Sequence, residues 1–418
     1  MISPFLLFSK IKVNGLLSVI WIFFVLGQHE SIQSQTINKD TLFLKMAAAV
    51  DSGLASHPVI INADLEMEKA RLKTRTFFAS HPLEFYYLHG QSSSSLMGKA
   101  FSVTQEIGNP VEWIYQSKQA DKLLLLTESG AELKKRKLIV EIKSAFTEWL
   151  YYSAMVEIMQ KEKALYSNFL NAYTMHYQLG EISLLQKSLA ETRYYEMIRK
   201  YDQLLDQLLI AENNLRQLTG IRSIIKPAGN AHDLYKVMPP SGNQIQYNAE
   251  TELETGQLKI DIAREQTNIE KSRFYPSITA GYIHQNINNY SDFQGFLVGL
   301  SFPLWFYPRS AEIKKSKIEM LQAENDYEYQ FAKAEKTIEN LIFELNKHYR
   351  QIRHYNLHGL QTSNLLMQTA ESQYQNEEIN YMEYVQHMST AFEIKHGYLE
   401  TVKSYNLTAI QLEYYANQ

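Results

Sequence analysis

"YQLGEIS", residues 177–183, has a near copy in "YQNEEIN", residues 374–380, which stands 197 positions further on, close to half the length of the chain. Both copies lie at the end of long stretches without helix breakers. After Pro110 the next proline is Pro227, and Gly130 is the one glycine between Val111 and Gln178; from Arg309 to Asn376 there is no proline and one glycine, Gly359. Each stretch therefore reads as a helix of about 70 residues, roughly 100 Å long at 1.5 Å per residue. A chain that runs so far and returns must reverse at the far end. The two short motifs are read as those reversals, with a return helix after each.

The return helix after Tyr177 carries apolar residues at alternating three and four spacing, Tyr194, Ile198, Tyr201, Leu205 and Leu208, as in a coiled-coil seam. "QLTG" (217–220) ends it with a C-terminal glycine. Ahead of each long helix stands a Pro-marked pair of strands. "FFASHPLEFYYLHG" (77–90) and "KAFSVTQEIGNP" (99–110) form the first; "SRFYPSITAGYIHQ" (272–285) and "FLVGLSFPLWFYP" (296–308) form the second, with three extra residues assigned to its loop. In the last strand Phe296, Val298, Leu300, Phe302 and Leu304 make an apolar row that alternates with Leu297, Gly299, Ser301 and Pro303. In the first hairpin Phe101 and Val103 share a face, and Gln105 breaks the row. Strands of about ten residues suffice to cross a bilayer when tilted. Four strands cannot close a barrel, and open edges are not tolerated in lipid, so several chains must share one; three copies give twelve strands.

The 418 residues are thus two structural repeats, 35–220 with a strand hairpin at about 83–107 and 249–418 with a hairpin at about 277–305, joined by a Pro- and Gly-containing linker at 221–248. Residues 1–34 read as a signal peptide: Lys10 and Lys12 precede the apolar run Gly15–Gly27, a polar segment follows, and cleavage is expected near Ser34. With 45% apolar and 21% charged residues the chain is of a folding type. A net charge of −4 gives no nucleic-acid footprint, and "KKRK" (134–137) is read as a solvated helix face. The absence of cysteine excludes disulfides, thiolate metal sites and cysteine nucleophiles.

Twelve histidines invite a metal reading. His81, His89 and His284 lie near the strands, and His348, His354 and His358 on the second long helix; no zinc-site pattern with a third ligand emerges, so no metal is assigned. "GQSSSSLMGK" (90–99) lacks phosphate-loop spacing. Tyr86, Tyr87, Tyr282 and Tyr307 near strand ends suit an aromatic girdle.

The order of "AVDSGLASHPVI" (49–60), "YQLGEISLLQKSLAE" (177–191), "FYPSITAGY" (274–282) and "VGLSFPL" (298–304), with the duplication, resembles the TolC-type outer-membrane efflux protein family over about residues 40–416. The resemblance implies a non-enzymatic homotrimer without cofactors. It would combine a transmembrane twelve-stranded β-barrel with a tunnel of long α-helical coiled-coil hairpins in the periplasm, acting as a passive exit duct. Its partners would be a periplasmic membrane-fusion adaptor, an inner-membrane pump of RND or ABC type, and outer-membrane lipid. By position, the adaptor-contacting tips are Tyr177, Gly180, Glu181 and Ser183 in one hairpin and Tyr374, Glu377, Glu378 and Asn380 in the other. Glu383 and Gln386 fall where some members carry an entrance constriction. A heavy-metal efflux branch, a type I protein secretion duct and, outside the family, an exported coiled-coil scaffold with no channel remain alternatives. Two departures stand out: His57-Pro58 replaces the family's Asn-Pro, which removes the better helix cap, and Glu377 replaces the glycine of the second turn, which leaves the shape of that tip open.

Overall fold

A computed structural model describes residues 41–76, 82–90, 98–229, 250–287, 292–304 and 306–415. The expected signal peptide, His81, the loop at 91–97 and linker residues 230–248 lie outside the described residues. The first repeat contains β1 (Leu42–Leu44), α1 (Met46–Ser56), α2 (Pro58–Thr76), β2 (Glu84–Gly90), β3 (Gly98–Gly108), α3 (Pro110–Gln178) and α4 (Leu184–Thr219). After β4 (Ile225–Pro227), the second contains α5 (Glu250–Ser272), β5 (Ser277–Ile287), β6 (Asp292–Ser301), α6 (Phe306–His354), a π-helical turn (Tyr355–Gly359), α7 (Leu360–Gln375) and α8 (Tyr381–Glu413).

α3 is one unbroken helix of 69 residues. Its start follows from sequence: Pro110 occupies the first turn, where its missing N–H costs nothing, and the Asn109 side chain accepts from the N–H groups of Val111 and Glu112. The Asn109 amide also donates to the Ser272 carbonyl at 2.6 Å, tying the start of α3 to the end of α5. The start of α2 resolves the question raised by His57. Its Nδ1 accepts from the Val59 N–H at 3.3 Å, so an imidazole does the work expected of asparagine.

The four long strands form one antiparallel sheet in the order β2-β3-β5-β6. β5 has 11 residues where β2 has 7; the hairpin loops, to one of which the extra residues were assigned, lie outside the described residues. Register places Phe85, Val103, Tyr282 and Phe296 in one row, with Phe101 and His284, and Ala280 and Val298, in flanking rows on the same face. The opposite face is mixed, with Ser102, Thr104, Thr279, Gly281, Gly295 and Gly299 beside Tyr86, Leu88, Ile283, Phe293 and Leu297. The apolar face is bare, Phe296 being 90% exposed.

Both helical layers repeat the order of the sheet. Near the strands α2 packs on α3, α3 on α5 and α5 on α6; further away α4 packs on α3, α3 on α8, and α8 on both α6 and α7. Elements of the two repeats meet at the centre of each layer, leaving β2, α2 and α4 on one flank and β6, α6 and α7 on the other. Both flanks expose apolar side chains, Leu65, Tyr195 and Ile210 on the first and Tyr329, Phe343 and Leu365 on the second.

The core runs along α3, where Leu138, Ile142, Phe146, Trp149, Met155 and Phe169 are buried in one cluster with residues of α1, α4 and α8. The seam of α4 consists of Ala190, Tyr194, Met197, Tyr201, Leu204, Leu208, Ala211 and Leu215, a regular four-three alternation. The expected Ile198 and Leu205 are displaced from it by Met197 and Leu204. At mid-length β1 pairs in parallel with β4, Leu42 opposite Ile225, so the chain before the first helix is bound to the linker after the first repeat. The basic run at 134–137 is a solvated face: Lys134 pairs with Glu66, Arg136 with Glu132 and Lys137 with Glu141.

Candidate functional site: the paired helical tips

The reversals at 177–183 and 374–380 close in the same way. In the first, Leu179 N–H donates to the Met175 carbonyl, Gly180 to Tyr177 and Glu181 to His176; in the second, Asn376 donates to Ser372, Glu377 to Tyr374 and Glu378 to Gln373. All three bonds repeat at the 197-residue offset. Gly180 has φ 76° and Glu377 has φ 61°, so the glutamate adopts the left-handed conformation that glycine would take without strain. The departure at Glu377 thus leaves the turn geometry unchanged. Both return helices then begin with a capping box, Ser183 with Gln186 and Asn380 with Glu383. Ile182 and Ile379 fold back against the core at equivalent positions.

Side chains differ where the backbone does not. Tyr374 stacks on Tyr384 with ring centroids 4.9 Å apart, and Tyr381 lies 5.4 Å from Phe169 and 6.4 Å from Tyr173 of α3. This aromatic cluster joins the two tips, which are neighbours in space despite their separation in sequence. The Tyr384 hydroxyl donates to Glu371 at 2.6 Å; burial and then that bond push its pKa up, and burial pushes Tyr381 up to about 12. Tyr177, by contrast, lies at the surface beneath the Lys187 ammonium, 5.4 Å from its ring centroid.

Beyond the cluster the first tip is apolar. Met175, Leu179, Leu184 and Leu185 are exposed, Leu185 to 79%. Their counterparts are Ser372, Asn376, Tyr381 and Met382, of which the first two are exposed and polar and the last two are partly buried against the core. Glu377 and Glu378 also face solvent, whereas Glu181 contacts His176. Glu383 is exposed with its carboxylate accepting from the Asn380 N–H at 3.0 Å, and Gln386 is exposed one turn further along α8.

Three features were not read from the sequence. The first is the aromatic cluster, for which the spacing of Tyr374, Tyr381 and Tyr384 was the available signal. The second is the exposed leucine group of the first tip. The third is a buried pair higher on the same helices: Glu162 of α3 and His396 of α8 approach to 3.5 Å, with Lys200 of α4 and Glu393 of α8 acting on the carboxylate. Burial raises Glu162 to about 7, with Lys200 opposing and Glu393 reinforcing the rise; burial and Lys200 lower His396. No local motif signals a contact between residues so far apart in sequence.

No protein-family model and no curated protein sequence matches the chain. Solved structures do. CusC superposes with a TM-score of 0.73 at 16% identity, over 89% of this chain and 92% of that one. The CmeC outer membrane channel of Campylobacter jejuni gives 0.74 at 10% identity over 88% and 84%, and the outer membrane protein VceC of Vibrio cholerae gives 0.71 at 12% over 88% and 95%. The chain therefore has the fold of these channel proteins, long helical hairpins with four antiparallel strands, at a sequence distance where shape alone carries the likeness.

Proposed function

We propose that the chain is the outer-membrane channel of a tripartite efflux system, a member of the TolC-type family acting as a passive exit duct rather than an enzyme. The observation that carries this reading is the four-stranded sheet with β2 and β6 as open edges, one face whose central row is apolar and exposed, and one mixed face that holds most of the small and hydroxyl side chains. Joining β6 of one copy to β2 of the next satisfies both edges, and three copies close twelve strands. The same rotation brings the flank of α6 and α7 against α2 and α4 of the neighbour, covering the exposed apolar side chains on both. Support comes also from the shared fold with proteins described as outer membrane channels.

In this reading the helical tunnel stands in the periplasm and its tips meet an adaptor that links the duct to an inner-membrane pump, RND type being favoured. Tyr177, Gly180, Glu181, Ser183, Tyr374, Glu377, Glu378 and Asn380 form the docking rim. Glu383, repeated three times, would put a ring of carboxylates at the entrance that favours cations, with Gln386 beside it.

The reading is tested with detergent-extracted protein. A heat-modifiable trimer that conducts in planar bilayers is expected; a monomer without conductance overturns it. Glu383→Ala is expected to change single-channel conductance or cation preference, and an unchanged current removes the gate. Photo-crosslinking from Glu181 or Glu378, followed by mass spectrometry, identifies the adaptor.

A further inference from the structure

The two long helices differ in continuity: α3 is α-helical from Pro110 to Gln178, whereas the second is interrupted between α6 and α7 by the π-helical turn Tyr355–Gly359. A π turn closes its bonds one residue later than an α turn and recurs at functional sites. Here it is wedged from behind: the Tyr355 ring lies edge-on to Tyr398 of α8, and a Cβ added at Gly397 would stand 2.5 Å from the Tyr355 hydroxyl.

The turn presents two imidazoles side by side. His354 and His358 have ring centroids 5.4 Å apart, tilted by 55°. Two imidazoles on one tetrahedral ion, with metal–nitrogen bonds of about 2.0–2.1 Å, have centroids about 5 Å apart. Both side chains are exposed, and apart from each other neither ring has a partner among the described residues, so coordination displaces no existing bond. We propose that His354 and His358 form a two-imidazole site for a late first-row divalent cation such as Zn²⁺, Ni²⁺ or Cu²⁺, with water in the remaining positions.

Imidazole is a ligand suited to these ions, and the order of affinity follows Cu²⁺ over Ni²⁺ and Zn²⁺. No group of three or more His, Asp or Glu poised for a metal occurs among the described residues, so this is an open, exchangeable site rather than a closed structural one. Arg350, one turn earlier, and Arg353 place cationic charge nearby and weaken it. A bound ion bridges the turn from His354 to His358 and so stabilises the π conformation by mass action. The site does not depend on the channel reading.

The test uses the full untagged chain in detergent, titrated calorimetrically with Ni²⁺ and examined with Cu²⁺ by electron paramagnetic resonance. One ion per chain is expected, with nitrogen superhyperfine structure from two imidazoles. His354→Ala and His358→Ala should each weaken binding by about tenfold or more and leave one coordinated imidazole, while His348→Ala keeps wild-type affinity. Ni²⁺ should slow amide exchange around 355–363 in the wild type and not in His358→Ala. Absence of saturable binding, or wild-type affinity in both single variants, overturns the site.

Discussion

The two tips share one backbone and present two surfaces. Three hydrogen bonds, a left-handed residue, a capping box and a returning isoleucine recur at the same offset, yet one tip is covered with leucine and methionine and the other with glutamate, asparagine and serine. Backbone reversal therefore constrains few positions, and the remainder are free to diverge for different contacts. The strain at Glu377 shows how far this freedom reaches. A left-handed glutamate costs on the order of 1 kcal/mol more than glycine, and the second tip bears that cost while keeping its acidic surface.

Perturbing the surfaces separately gives the largest expected effect. If the chain is the efflux duct proposed above, replacing Leu184 and Leu185 by aspartate should reduce adaptor crosslinking and efflux by about tenfold or more, as expected for anchor residues of an interface. Charge reversal at Glu377 and Glu378 should act more weakly and diminish further with salt. Equal, salt-independent losses from both sets would remove the functional distinction between the tips.

Next comes the joint that holds the hairpins together above the tips. Glu162 is raised from its ordinary 4.5 to about 7, so its contribution to stability is complete below 4.5 and lost as pH rises through 7. Glutamine mimics the protonated acid, and Glu162→Gln should gain on wild type by up to about 3 kcal/mol between pH 4.5 and 8. The lowered His396 works in the opposite sense, its contribution being lost as pH falls through its ordinary 6.5 and below, and it offsets part of the wild-type slope. Denaturant midpoints measured across pH check this; parallel curves for the two proteins would place the carboxylate in a solvated setting.

Smaller, opposite shifts are expected at the turns. Gly180→Glu should destabilise by about 1–2 kcal/mol, and Glu377→Gly should stabilise by about 1 kcal/mol. Shifts of the same sign would show that the two turns do not share φ. Finally, Ser183→Ala and Asn380→Ala should each cost about 1 kcal/mol, since both remove a capping acceptor from a solvent-exposed first turn. A marked inequality between them would mean that one box is not formed.

Much of the fold was legible because its signals are local. The run without proline from Val111 to Gln178 is one helix, Asn109-Pro110 starts it and Gly220 ends α4 in the left-handed conformation. Alternation in β6 correctly put Phe296, Val298 and Leu300 on one face. The π turn was not legible, because a change of hydrogen-bonding pattern over five residues alters no periodicity that sequence displays. The exact seam of α4 was also missed: Ile198 and Leu205 are as apolar as Met197 and Leu204, and only the position of α3 selects between them.

At the candidate site, residue positions followed from the repeat, and their surroundings did not. Breakers, caps and periodicity act within a few residues, and they are enough to call for two equivalent reversals, four strands and helices about 100 Å long. Tertiary structure alone decided that Tyr381 of one hairpin stacks near Phe169 of the other, that Glu162 meets His396, and that β3 pairs with β5 to join the repeats. Those contacts depend on helix rotation and strand register across more than a hundred residues, where small local preferences accumulate and packing of the whole chain makes the choice.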